Sequence, residues 1–318
     1  MYSNGQSEEI VGKALKKFNI PRNRIVILSK CYFGVAADGS QPIGAMLTND
    51  GDMVNQVGLS RKHIFDAVDA SVERLGTYID VLQIHRLDRG TPREEIMKAL
   101  NDVVESGKVR YIGASSVRVP SCLSCCLNRL CSPHRAHHLC YVLDEMLTMG
   151  LFQMAAWEFQ TLQNIAEKHG WHKFISMQNY YNLIYREEER EMIPYCKDTG
   201  VGLIPWSPVA RGVLTRPWGE RTTTREKTDK FLASLIRARE NDVDKAIIDR
   251  LEEVAKKRGV SMTTIATAWC IKKGVIPIIG LNSKERIEQA VENSKYQLSD
   301  EDTKYLEEPY LPKPIQGY

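Results

Sequence analysis

Short apolar runs, rich in β-branched residues and too brief for helices, alternate along the chain with stretches whose apolar positions recur every three or four residues. The runs are Ile25–Leu28, Asp80–Ile84, Val109–Gly113, Phe174–Gln178, Val201–Ile204 and Val275–Ile279, which gives six strand candidates. Between them, Ile64, Phe65, Val68, Val72 and Leu75 fall on one helical face, and Ile96, Met97, Leu100 and Val104 on another. Ser60 stands where it can cap the first of these helices. Gly76, Gly107, Gly170, Gly200, Gly259 and Gly274 each stand where a left-handed residue would close a helix. Strands that are apolar nearly throughout, with helices between them, predict parallel strands buried on both faces.

Two α/β architectures fit this alternation: an open doubly wound sheet and a closed (β/α)8 TIM barrel. The open sheet, if it held a dinucleotide, would show a G-x-G-x-x-G turn after its first strand, and none is present. A barrel gathers its chemistry at the carboxyl ends of its strands. There the sequence places Lys30, His85, Ser115 with Ser116, Gln178 with Asn179, Trp206 with Ser207, and Gly280. We therefore expect a barrel.

Composition narrows the partners. Hydrophobic residues make up 43% of the 318, enough for a large core, and the net charge is +3 with the charges interspersed. Nothing in that pattern suggests a nucleic-acid surface. No apolar run is long enough to span a membrane, and the polar, acidic start MYSNGQSEE does not read as a signal peptide. The expectation is a cytoplasmic protein acting on a small molecule. Cys31, Cys196 and Cys270 are scattered and read as buried free thiols.

Tyr2 in YSNGQSEE, Lys30 in ILSK, His85 in LQIH, the GASS segment, SMQNYYN, IPWSPVARG and IPIIGLNSKER occur in the order seen in the aldo-keto reductase superfamily. The sequence most resembles its fungal branch of versiconal hemiacetal acetate reductase-like enzymes, over residues 1–116 and 154–318. The resemblance implies one barrel domain over residues 1–318. It implies that the family's first strand, first helix and most of its second strand are absent, together with an aspartate five residues before the tyrosine. It also implies an NADP-dependent oxidoreductase that reduces an aldehyde or ketone to an alcohol, in a setting of fungal secondary metabolism. Tyr2 is then the acid, Lys30 the cation that tunes it, and His85 the group that polarises the substrate oxygen. The chemistry suits these residue types: a tyrosine ionises near pH 10, and a nearby ammonium favours the phenolate.

By the same resemblance, Ser115 and Gln178 hold a nicotinamide carboxamide and Trp206 stacks on its ring. Ser207, Val209 and Gly212 approach a pyrophosphate. Gly280, Ser283, Lys284 and Arg286 open a helix after the last strand, and a helix start with two cations suits a 2′-phosphate, hence NADP. Gln289 matches an adenine contact, while Ala290 replaces the asparagine often found next to it. Tyr32, Phe33 and Trp218 fall in loops near the barrel mouth, where they suit a large apolar or aromatic carbonyl or simply anchor those loops. Trp157, Trp171 and Trp269 read as packing residues.

Residues 117–153 break the rhythm. They hold five of the eight cysteines and three of the seven histidines, yet no period of helix or strand. Cys122-x-x-Cys125 and Cys131-x-x-His134 have spacing that zinc accepts, but the stretch offers little core for a finger. The preferred reading is a translated intron with no metal. Val117-Arg118 can be encoded as a splice donor and Phe152-Gln153 as an acceptor, and removal joins GASS to MAAWEFQTLQ. A genuine insertion is the other alternative. For the chain as a whole, two further functions stay open: a nucleotide-binding regulatory subunit, and an inactive product of a mis-spliced gene.

Overall fold

The structure, a computed structural model, describes residues 2–36, 49, 51–116, 154–229, 232–233 and 236–314. They divide into two compact units. The first contains the described residues up to 116, with 154–178 and 197–201, and the second contains 179–196 and those from 202 onward. The expected insert at 117–153 lies outside the described residues.

The first unit holds four parallel strands, β1 (Leu28–Cys31), β2 (Ile79–Ile84), β3 (Val109–Ser115) and β4 (Phe174–Gln178), in that order. Its helices are α1 (Gln6–Lys17), α2 (Arg61–Leu75), α3 (Arg93–Glu105) and α4 (Ala156–His169), packed each on the next. Ser60 caps α2 as expected, its hydroxyl accepting the His63 N–H at 3.2 Å, a contact worth about 1 kcal/mol. All six glycines expected to close helices have positive φ.

Two details of the helices differ from expectation. On α3 the buried partner of Ile96, Met97 and Leu100 is Val103, not Val104, on a face that also buries Ala99, one turn before Val103. Trp157 is 57% exposed. It lies on the outer side of α4 beneath the Arg93 guanidinium, 5.1 Å from its ring centroid. The inner side of α4 presents Phe159, Leu162 and Ala166, all fully buried.

Polar ties fix the strands. The first run was expected at Ile25–Leu28, but the ladder begins only at Leu28. The Asp80 carboxylate accepts the Ile27 N–H at 2.7 Å and also pairs with Arg22 at 2.5 Å, so Ile27 joins β2 through its carbonyl alone, which accepts the Asp80 and Val81 N–H groups at 3.0 and 3.1 Å. Buried Glu8 on α1 accepts from the Ser29 hydroxyl and pairs with Arg74 of α2 at 2.7 Å, joining α1, β1 and α2. Arg89 grips Glu158 through two bonds of 2.7 Å, and Glu158 also accepts the Ala155 N–H at the start of α4.

The second unit contains α5 (Asp242–Arg258), α6 (Met262–Lys272), α7 (Lys284–Asn293) and α8 (Asp300–Glu307). Helix α6 is buried over most of its length; Trp269 lies against Tyr181 with ring centroids 5.0 Å apart, and its indole N–H reaches Glu307 at 2.8 Å. The fifth run is shorter than expected: β5 is Gly202–Leu203, because Pro205 has no N–H to continue a ladder. The sixth shrinks further. Ile276 and Ile278 donate to Leu203 and Pro205, yet only Ile278 forms a bridge, with Trp206. Pro277 and Pro205 each remove a donor from what would be a strand pair. Among the described residues there are thus five strands where six were expected. Cys31, Cys196 and Cys270 are buried free thiols, as expected.

Candidate active site

In the first unit, Tyr2 sits in a turn whose next three residues, Ser3, Asn4 and Gly5, all have positive φ. Such a run is strained for non-glycine residues. It is held by a reciprocal amide pair: Asn4 Nδ2 donates to the Ala36 carbonyl at 2.8 Å, and Ala36 N–H donates to Asn4 Oδ1 at 2.7 Å. Gly5 also stands close to Arg74, whose Cδ would lie 2.9 Å from a Cβ placed there.

This turn brings Tyr2 to the strand ends. Lys30 Nζ lies 5.2 Å from the Tyr2 ring centroid, and the His85 ring centroid lies 6.1 Å from it. Phe33 meets His85 edge-on at 5.1 Å, and Arg86 covers Phe33 at 4.8 Å. The three residues expected to do acid–base work are thus brought together.

Their protonation states follow from burial. Burial lowers the Lys30 ammonium from its ordinary 10.5 to about 8. Burial, then the charges of Lys30 and Arg86, hold His85 well below 6.5, so its imidazole is neutral at pH 7 and can donate or accept. The sequence suggested that Lys30 would draw the Tyr2 hydroxyl down. Instead burial raises it. Tyr2 is 51% exposed, so water tempers that rise. At neutral pH the residue is a phenol with a proton to give.

Further along the same strands, Ser115 and Gln178 pair in register, and the Ser115 hydroxyl donates to the Gln178 carbonyl at 3.1 Å. Both are buried. Ser116, also buried, accepts the Met154 N–H at 3.1 Å.

The second unit carries the expected phosphate and adenine residues. Ser207 has positive φ, and so do Ala210, Arg211 and Gly212 in succession. This loop borders a cavity of about 940 Å³ lined by Val209, Arg211, Gly212, Arg216, Gly280, Arg286 and Gln289, among others. That volume lies in the range of cofactor pockets. Ser283 caps α7 by accepting the Arg286 N–H at 3.3 Å, and Arg286 is steadied by Asn282 at 2.9 Å. Lys284 does not join the cavity lining; it is 83% exposed and stands 3.6 Å from Glu288. Trp206 lies against Tyr180 with centroids 4.6 Å apart.

Sequence reasoning missed Arg211 and Arg216 on this cavity, and Arg86 beside His85. The signal for Arg86 was its place directly after the strand-end histidine. Arg211 is steered by an ion pair with Asp229 at 2.6 Å, a partner that nothing in the local sequence marks. The cavity is lined by four arginines, Arg211, Arg216, Arg225 and Arg286, a donor set suited to a phosphorylated cofactor. Among the described residues no cluster of metal-binding side chains occurs, and no helix is long and apolar enough to cross a membrane.

The aldo/keto reductase family model matches residues 1–130 and 147–310, and so reaches into both ends of the insert expected at 117–153. The chain is 61% identical to versiconal hemiacetal acetate reductase of Aspergillus parasiticus, over 99% of this chain and 82% of that protein. It is 54% identical to a putative aryl-alcohol dehydrogenase of Schizosaccharomyces pombe, over 99% and 81% of the two chains. An aldo-keto reductase of Metarhizium robertsii is 45% identical, over 100% and 78%. With strand ends that carry tyrosine, lysine and histidine together, and matches over nearly its whole length, the chain belongs to the aldo/keto reductase family, oxidoreductases of the (β/α)8 barrel class that act on small carbonyl compounds.

Proposed function

We propose that the protein reduces an aldehyde or ketone to an alcohol with NADPH, and that Tyr2 supplies the proton. The observation that carries this reading is the convergence of Tyr2, Lys30 and His85, with Lys30 Nζ 5.2 Å and the His85 ring 6.1 Å from the Tyr2 ring centroid. A nicotinamide cofactor, when bound, supplies the hydride. Neutral His85 donates a hydrogen bond to the carbonyl oxygen and polarises it. The Tyr2 phenol gives its proton to that oxygen as negative charge develops there, and Lys30 stabilises the phenolate left behind. Phe33, edge-on to His85 at 5.1 Å, limits water at its ring.

Ser115 and Gln178, paired in register in the first unit, present polar groups suited to the carboxamide. Arg286 is the better candidate for a 2′-phosphate than Lys284, because it lines the cavity. The relatives' names, one for versiconal hemiacetal acetate and one for aryl alcohols, make aromatic aldehydes the first substrates to try. The test is NADPH oxidation over a panel of them with the parent chain and Tyr2→Phe. General acid catalysis contributes about 10² to 10⁴-fold, so Tyr2→Phe should lose activity on that scale while keeping its cofactor affinity. Full activity in Tyr2→Phe would remove Tyr2 from the role.

A further inference from the structure

Lys30 is held differently from a surface lysine. It is half-buried on β1, and no carboxylate or hydrogen bond among the described residues offsets the burial that lowers it to about 8. A lysine kept in such a place holds its proton loosely. At pH 7 about a tenth of Lys30 is free amine, against about three parts in ten thousand for a lysine of ordinary value.

Its surroundings suit a reaction of that amine with a carbonyl compound. The Tyr2 ring, 5.2 Å from Nζ, carries a phenol with a proton to give, and neutral His85 lies 6.1 Å from the same ring. Lys30 also borders a cavity of about 280 Å³, whose walls include Phe33, Val35, Ala67 and Ala70. An apolar cavity of about 150 Å³ holds benzene, so a small aromatic aldehyde has room beside Lys30. The titratable groups on the same cavity are Glu9, Cys31, His63, Asp66 and Arg74. Three of them pair with other residues: Glu9 with Lys13, Asp66 with Lys62, and Arg74 with Glu8. Burial keeps the other two uncharged at pH 7, pushing the Cys31 thiol up to about 12 and lowering His63.

We propose that Lys30 captures aldehydes as a reversible imine. The Nζ lone pair attacks the carbonyl carbon, a C–N bond forms, and one proton passes from nitrogen to oxygen. The Tyr2 phenol then protonates the new hydroxyl, which leaves as water, and the second nitrogen proton restores the phenol. One amine and one aldehyde become one imine and one water, with no oxidant or reductant. An imine is a weaker base than an amine, so capture removes the cation that stabilises the Tyr2 phenolate. An aldehyde in excess should therefore slow its own reduction. That consequence rests on the reductase reading; the capture itself does not.

The test incubates the full chain with benzaldehyde and cyanoborohydride at pH 7, with no cofactor, and locates the benzylated lysines by peptide mass spectrometry. The reagent's hydride fixes the imine as a secondary amine. Lys30 should be labelled about tenfold faster, or more, than the exposed Lys13 and Lys284. The fast phase of labelling should vanish in Lys30→Arg, which keeps a cation but offers no amine. Labelling of Lys30 no faster than that of Lys13 and Lys284 overturns the proposal, whether or not the chain reduces benzaldehyde with NADPH. Should Lys30→Arg fail to fold, the map of the parent decides alone. Selective labelling of a chain that does not oxidise NADPH upholds capture and counts against the reductase reading only.

Discussion

Replacing Lys30 with methionine removes an ammonium that the fold holds in a partly dry place, and the structure indicates what that costs. Burial lowers the folded-state value from 10.5 to about 8. At about 1.4 kcal/mol per pH unit the penalty for keeping the charge at pH 7 is about 3 kcal/mol. The attraction between the ammonium and the Tyr2 ring, 5.2 Å away, returns about 0.5–1 kcal/mol. Residual water at the ammonium reduces the remainder, leaving a net penalty of about 1–2 kcal/mol. The sign of the pH dependence follows. Below pH 8 both folded and unfolded chains carry the charge, and the penalty is complete. Between about 8 and 10.5 the folded lysine releases its proton while the unfolded one keeps it, so stability rises with pH. Lys30→Met should therefore be more stable than the parent at pH 7, with the difference vanishing towards pH 10.5. Urea unfolding followed by tryptophan fluorescence, in steps across this range, measures both quantities. Parallel pH curves for the two proteins, or a less stable variant at pH 7, would refute the argument. The stabilised variant should be a poorer reductase, since the strained charge is the one the chemistry uses.

Other outcomes are equally specific. Arg286→Ala should reduce the ratio of NADPH to NADH affinity about tenfold, a change of about 1.4 kcal/mol, whereas Lys284→Ala should leave it nearly unchanged; equilibrium titration of both cofactors compares them. Arg74→Met should destabilise the fold by about 2–3 kcal/mol, because it strands the buried Glu8 carboxylate. Burial raises the Glu8 carboxyl, but the chain's amino group, Ser29 and Arg74 together hold it below its ordinary 4.5. Its contribution to stability is full above 4.5 and is lost as pH falls through the folded value, a loss that chemical unfolding at acid pH should find diminished in Arg74→Met. Deleting residues 117–153 should leave a chain that folds at least as stably as the parent, because the Met154 N–H already bonds the Ser116 hydroxyl at 3.1 Å and the flanks can be joined directly; a lower thermal midpoint for the deletion would count against the intron reading.

How far the sequence could be read depended on how local the determinant was. His85, Ser115 and Gln178 end strands whose own residues dictate them, and the structure places them where the apolar runs implied. Positions set by distant partners were not legible. The start of β1 moved because Asp80, more than fifty residues away in sequence, takes the Ile27 N–H. Lys284 and Arg286 look alike in sequence, but only Arg286 lies on the side of α7 that meets the cavity. The sign of the Tyr2 shift is set by burial, which depends on what the fold packs around the residue and which no spacing encodes. The run Val275–Ile279 was apolar enough for a strand, and the two prolines that reduce it to one bridge act together only when the segments meet.

The turn that presents Tyr2 also sets how the protein ages. Asn4 is followed by Gly5, the pairing in which an asparagine side chain is most readily attacked by the next backbone nitrogen and lost to aspartate. Here both ends of the Asn4 amide are engaged by Ala36, and the nitrogen that would leave is the one donating to the Ala36 carbonyl. Once hydrolysed, the side chain is an acceptor only; it can still receive the Ala36 N–H, but its second oxygen faces the carbonyl it used to serve. In stored protein the loss of activity would then follow the appearance of negative charge at position 4 rather than unfolding, with Asn4→Asp as the ready-made aged form.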